Sequence, residues 1–515
     1  MRPNIETPKY QMEKLEDILI EMVIMSAKEI IKDKSQLKAV CNLLERYNWD
    51  TFTRIMLYLL MNSGNIDLIK EKLLNKKYFF KQGLYREYYQ LLKKYFSKLD
   101  QVSKDQILDM IDKDEEYTGN REYYDLAINT TRGKALECLI KYALWIREDV
   151  KRNQSEEYVT NNGFNSCDRL KAVKIKIEDV LKNEKTNTVL SILGFYLPWL
   201  VLLDKNWCEE NKKLIFPREN DLKEKLAAIW HTYIKYSQPY NIVFEIFEDE
   251  YKYWTDNWKY LDDKENKYDN AFGLLQHLIQ FYWRKKQNDK EEYWFDLKGK
   301  NGEYCFEYVF GKMPKPAIAK LFRFIGRMLR SEKKDIPDTT KERLKTLWDY
   351  RFTQTTKLPD EYKDELNKFV DWFASGVFDD EWSFKIMKEI FSKIGYPKDD
   401  YHLFDYFELK LNDQPDEVLN CIKAMVDNSN DEQLRNKLYL NKEVVKEILK
   451  QLYNKSDKSW KNLSQIMFRV AAQLLLMVGM AIWDSQNLVI NISQLKQDRL
   501  NWMASYRIFT WLPVC

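Results

Sequence analysis

Apolar residues recur along this chain with a helical period. Leu15, Ile18, Leu19 and Met22 follow the i, i+3, i+4, i+7 spacing that places side chains on one face of an α-helix, with charged residues between them. Similar stripes recur to the end of the sequence. Clusters of turn formers interrupt them at Asn62–Asn65, Asn161–Ser166, Lys298–Gly302, Gly395–Asp400 and Asp427–Asp431, and the spacing between these breaks suits helical hairpins. The sharpest joint is Phe195–Trp207, an apolar run interrupted by Pro198 and flanked by tryptophans. Pro198 removes a backbone donor and bends or ends the helix, which places Trp199 and Trp207 where two helices meet. Around the Lys298–Gly302 turn, Tyr293–Leu297 and Glu303–Phe310 are expected to pair as one small β-hairpin near 293–310.

The pattern therefore predicts an all-α fold, an α-solenoid of stacked helical hairpins. Pairs of about 35–45 residues fit a degenerate TPR- or HEAT-like array, although no repeat has a tight consensus. Three segments are expected: an N-terminal array over 1–160, a central array over 161–395 and a C-terminal segment over 396–515. Composition agrees with this picture. Glycine (14) and proline (12) together make up about 5% of the 515 residues, against about 12% in average usage. Few turn formers mean long or closely stacked helices. Aromatic residues reach 15% and charged residues 32%, so large rings supply the cores and a charged surface keeps the chain in water.

Charge changes the picture little. Lys+Arg (83) and Asp+Glu (80) nearly cancel and are interleaved, for a formal net charge of +3, and nothing in that balance asks for a nucleic acid partner. Seven scattered cysteines with no C-x-x-C spacing read as reduced cytosolic thiols. The polar N-terminus lacks a secretory signal. The apolar runs Val189–Leu203 and Val470–Trp483 fall short of the ~20 residues needed to cross a bilayer. The expected location is the cytoplasm, with no membrane contact.

Candidate chemistry is sparse. A phosphate loop needs G-x-x-x-x-G-K-[ST], and the nearest approach, Gly133-Lys134, has Ile128 and Ala135 where the motif requires glycine and a hydroxyl. His231, His277 and His402 lie in no metal-binding spacing. Asp399-Asp400 followed by Glu408 and Lys410 resembles the acidic and lysine residues of a metal-dependent nuclease, since hydrolysis wants carboxylates for Mg²⁺ and a lysine near the water; a solvated, helix-capping turn is the competing account. Asp379 and Asp380, just before a new periodic run, suit helix capping. Tyr251, Trp254 and Trp258 stand three and four residues apart, as an aromatic row that either fills a core or presents a protein-binding face. No enzyme activity and no cofactor are expected on the preferred reading. A Mg²⁺-dependent nuclease centred on Asp400, Glu408 and Lys410 is one alternative, and a structural helical-repeat adaptor without an immune role is another.

Five islands stand in order: Ile128–Ala143, Phe195–Trp207, Ala227–Trp230 with Pro239–Phe244, Phe324–Leu329, and Trp372–Trp382. Together they resemble the C-terminal helical sensor arrays of bacterial Avs-type antiviral STAND NTPases, over roughly Asn129 to Asn430. In that family an effector and a P-loop ATPase precede the array. The resemblance implies that the array recognises a phage protein, such as terminase or portal, and that engagement drives oligomerisation. No P-loop is present, so this chain matches the sensor part alone, with a STAND ATPase and effector in cis in a longer protein or in trans. Arg132, Gly133, Pro198, Trp199, Trp207, Gly326, Gly376 and Trp382 stand at the motif positions, and their physical reading is helix packing, close approach and turns.

Overall fold

The computed structural model of the protein describes residues 15–79, 81–111, 131–184, 186–218, 223–261, 268–286, 292–300, 303–331, 336–357, 361–398, 402–430 and 448. These residues are all-α, with no strand among them. The chain divides into two compact units, Met1–Pro314 and Lys315–Cys515.

The first unit begins with α1 (Leu15–Ile30), α2 (Leu37–Arg46), α3 (Asp50–Met61), α4 (Ile66–Leu73) and α5 (Tyr85–Tyr95). Every residue from Thr53 to Met61 of α3 is buried, as expected of a helix with neighbours on all sides: α1, α2 and α5 all pack on it. Asn65 starts α4 by accepting a hydrogen bond from the Leu68 amide (3.0 Å), a side-chain N-cap.

Beyond this group, helices stack in two rows. α6 (Thr131–Asn153), α8 (Asn187–Phe195), α10 (Lys223–Tyr236) and α12 (Asp269–Trp283) follow one another in the first row, with α7 (Asp168–Asn183) lying against α6. α9 (Leu197–Leu203), α11 (Asn241–Asp256) and α13 (Phe306–Lys312) form the second. This is the stacked-hairpin arrangement that the turn spacing predicts, with each helix burying its apolar face on near neighbours. Close approach between α8 and α10 is allowed by Gly194, which faces the Ile229 backbone with no room for a Cβ.

The second unit contains α14 (Lys315–Ser331), α15 (Asp338–Thr355), α16 (Lys363–Phe373), α17 (Asp380–Ile394), α18 (Leu403–Lys410) and α19 (Pro415–Asp427). α14 packs on α16, α16 on α17, and α17 on α19. At the first of these crossings Gly326 meets Asp371, and the Trp372 indole donates to the Phe322 carbonyl at 2.9 Å.

Several expectations are corrected. Glu303–Phe310 is not a strand: α13 starts at Phe306, and Phe306, Val309 and Phe310 are buried at helical spacing, so a period of 3.6 wins over a period of 2. The Asp296 and Leu297 carbonyls instead accept from the Phe306 and Glu307 amides of the helix's first turn. The helix does end at this joint: α8 stops at Phe195, and Pro198 lies in the first turn of α9. Trp207 is buried, donating to Glu178 at 2.9 Å and packing edge-on to Phe164 at 5.3 Å. Trp199, by contrast, is 40% exposed rather than wedged between helices.

Candidate protein-binding surface

The aromatic row Tyr251, Trp254 and Trp258 does not form one face. Tyr251 and Trp254 lie on α11 and are 0% and 2% exposed, so they are core side chains and not a binding surface. α11 ends at Asp256, which puts Trp258 in a separate 3₁₀ turn, Trp258–Leu261, where its indole donates to the Lys312 carbonyl at 3.1 Å. Trp254 stacks on Trp230 (6.4 Å) and Tyr251 meets Trp230 edge-on (4.9 Å).

A polar thread runs through this aromatic core. The Tyr233 and Tyr251 hydroxyls are 2.9 Å apart, Tyr251 is 3.0 Å from His277 Nδ1, and His277 Nε2 is 3.1 Å from the Ser237 carbonyl. A carbonyl only accepts, so Nε2 carries the ring proton, Nδ1 accepts from Tyr251, and Tyr251 accepts from Tyr233. Burial pushes the His277 pKa down to about 3, which keeps the ring neutral at ordinary pH and suits it to structure rather than to proton transfer.

The nuclease constellation does not assemble among the described residues. Asp399 and Asp400 lie outside them. On α18, Glu408 is exposed, while Lys410 pairs with Asp380 at 2.5 Å. Asp380 also accepts from the Tyr406 hydroxyl at 2.9 Å, so the lysine completes a contact between α17 and α18. Asp379 caps α17, accepting from the Trp382 amide at 2.9 Å, as the capping account has it. Among the described residues no group of three or more His, Cys, Asp or Glu is placed to hold a metal ion. Gly133 and Lys134 sit in the first turn of α6, where Lys134 pairs with Glu137 at 2.8 Å.

The other motif positions have structural places. Arg132 lies in the first turn of α6. Gly376 adopts φ +66°, a left-handed turn conformation that a side chain disfavours, after α16. Trp382 packs against Trp348 (5.5 Å), Phe373 (5.3 Å) and Phe378 (4.9 Å).

Two groups of large apolar side chains are left uncovered among the described residues. On α1, Leu15, Leu19, Met22, Met25 and Ile30 are 51–69% exposed, and Ile18 joins them. At about 100° per residue they span roughly 140° of the helix, opposite the buried side chains Asp17, Ile24 and Ala27. The sequence pattern identified this face, and the structure turns it outward. A second uncovered group lies farther along: Trp199 and Leu202 on α9, and Tyr240 and Ile242 at the start of α11; Lys205, in the short helix that follows α9, pairs with Glu245 of α11 at 3.0 Å. Reading i+3 spacings finds such residues but cannot say which side of a helix its neighbours cover.

No family model matches the chain, and neither a curated protein nor a solved structure is similar to it. Among the described residues, no helix is long and apolar enough to cross a membrane.

Proposed function

We propose that this chain is a non-enzymatic helical array that binds another folded protein, with the outward face of α1 as its principal contact. The observation that carries this reading is the row Leu15, Ile18, Leu19, Met22, Met25 and Ile30, left open to solvent on a helix whose opposite face is already packed. A surface helix ordinarily turns its apolar stripe toward the core, and contiguous apolar patches on soluble proteins mark interaction sites. An arc of this width exceeds a two-helix coiled-coil seam and suits insertion into an apolar groove of the partner. Two methionines in the row give the contact adaptable shape.

The more specific role is the sensing region of a cytoplasmic antiviral defence system. Its ligand in this reading is a phage terminase- or portal-like protein, and binding is relayed to a STAND ATPase and effector in cis or in trans. The order of the five sequence islands supports this role. The test is co-purification of the chain with phage terminase or portal protein expressed alongside it. The double variant Leu19→Glu/Met22→Glu is expected to lose the captured protein at least tenfold, the loss of anchoring apolar contacts. Its thermal unfolding should shift little, because both side chains are on the surface. Equal capture by the variant rules out the α1 face; no capture of either phage protein by wild type rules out the sensor role.

A further inference from the structure

Glu250 is a carboxylate closed over by a short segment of its own chain. It lies on α11, 5% exposed, one turn after Phe247 and one turn before Trp254, so these three share a helix face. The stretch 212–218 begins as a short helix, Lys212–Ile215, that packs on α7, and its last residues bring Phe216 and Arg218 onto that face. Phe216 packs edge-on to Phe247 (5.3 Å) and to Trp230 of α10 (5.8 Å). Arg218 donates to Glu250 Oε1 at 2.8 Å while its guanidinium lies 3.9 Å over the Tyr253 ring. α11 is kinked at Phe247, the residue that receives Phe216. Glu250 Oε2 is buried and has no hydrogen-bond partner among the described residues, so one ion pair serves only half of the carboxylate.

We propose that Glu250 makes this cover pH-responsive: residues 212–218 are held down when Glu250 is protonated and loosen when it is ionised. The reason is linkage. With the cover closed, burial raises the Glu250 pKa to about 7 against an ordinary 4.5, the Arg218 charge opposing but not cancelling it. With the cover lifted, water solvates the carboxylate and the ordinary value returns. The closed state therefore binds the proton more tightly, and raising the pH from 4.5 through about 7 favours opening. A difference of 2.5 pH units between these values sets a ceiling of roughly 300-fold on the change in the opening equilibrium.

The surrounding charges do not alter the sign. From the covering stretch Arg218 and Lys212 lower the Glu250 pKa, and Asp249 on its own helix raises it. Of the other elements packed on α11, α9 carries no charged residue, the short helix after it contributes Lys205, which pairs with Glu245 at 3.0 Å, α10 contributes Trp230 and Tyr233, α12 contributes the neutral His277 bonded to Tyr251, and α13 contributes Tyr308 and Lys312, both partnered by Asp256 at 2.7 Å and 3.7 Å.

Hydrogen exchange of peptides covering 212–218 in the full chain, followed from pH 5 to 8.5 and corrected for intrinsic exchange, tests the proposal. Wild type should lose protection as pH rises through about 7, by tens to hundreds of fold. Glu250→Gln should hold the low-pH protection throughout. Arg218→Met keeps an apolar stem over Tyr253 but removes the opposing cation, so its loss of protection should move to higher pH. Protection in wild type that is flat with pH overturns the proposal. So does a Glu250→Gln variant with the wild-type slope, or an Arg218→Met variant with an unmoved midpoint.

Discussion

Arg351→Met is expected to lower the unfolding free energy of the second unit by about 3–5 kcal/mol, the cost of leaving a buried charge without its partner. Arg351 on α15 and Glu365 on α16 are 3% and 2% exposed. The guanidinium grips the carboxylate in two places, Nε to Oε1 at 2.6 Å and Nη2 to Oε2 at 2.9 Å, and stacks 5.1 Å from the Tyr362 ring centroid. Methionine fills much of the volume but returns no donor. Burial already pushes the Glu365 pKa up, with Arg351 holding it back, and removal of Arg351 lets it rise further. A carboxylate whose folded pKa exceeds its unfolded value stabilises below the unfolded pKa and loses that contribution as pH rises through the folded one. The deficit should therefore be larger at pH 8 than at pH 5. Denaturant unfolding at the two pH values measures it, and the double variant Arg351→Met/Glu365→Leu should recover most of the loss, because an apolar pair needs no compensation. A single variant within about 1 kcal/mol of wild type would show that the pair is not structural.

Gly194→Val is expected to destabilise the first unit by at least about 3 kcal/mol, the upper end of overpacking costs. A Cβ at this position would fall on the Ile229 carbonyl oxygen and its neighbouring backbone atoms. Backbone in the middle of α10 cannot turn aside as a side chain does, so α8 and α10 would have to separate. That separation disturbs Leu190 and Leu193 on α8 and Trp230 on α10, all fully buried. It also strains the bond from the Ser237 hydroxyl to the Phe195 carbonyl, 2.9 Å, at the end of the same crossing. Thermal unfolding of wild type, Gly194→Ala and Gly194→Val reads the effect, with the melting temperature falling in that order. An unchanged melting temperature for valine would mean that the helices do not meet there.

Much of the fold was legible in the sequence, and for identifiable reasons. Pro198 lies in the first turn of α9, Asp379 caps α17 and the Asn62–Asn65 turn separates α3 from α4, because capping, turn and proline effects act within a few residues and need no distant neighbour. Glu303–Phe310 misled for a related reason: its apolar residues fit either period over so short a run, and packing of Phe306, Val309 and Phe310 decided for a helix. The candidate site was less legible. Tyr251 and Trp254 carry the composition of a hot spot and the burial of a core, and spacing alone does not separate the two. Lys410 looked like a residue for catalysis in sequence and is an anchor for Asp380 in space. Arg54–Glu87 and Arg351–Glu365 gave no sequence signal, because a buried pair joins residues 33 and 14 positions apart.

The sequence by itself determined that this protein is helical, where many of its helices turn, and which residues share a face, since those properties follow from local periodicity and backbone chemistry. Only the tertiary structure decided which face meets a neighbour and which meets water. Leu15, Leu19 and Met22 form as regular a stripe as Leu170, Val173 and Ile177, yet the first three are open and the second three closed. A helix's period fixes the angle between its side chains but carries no information about what lies beyond them; that depends on how the rest of the chain stacks.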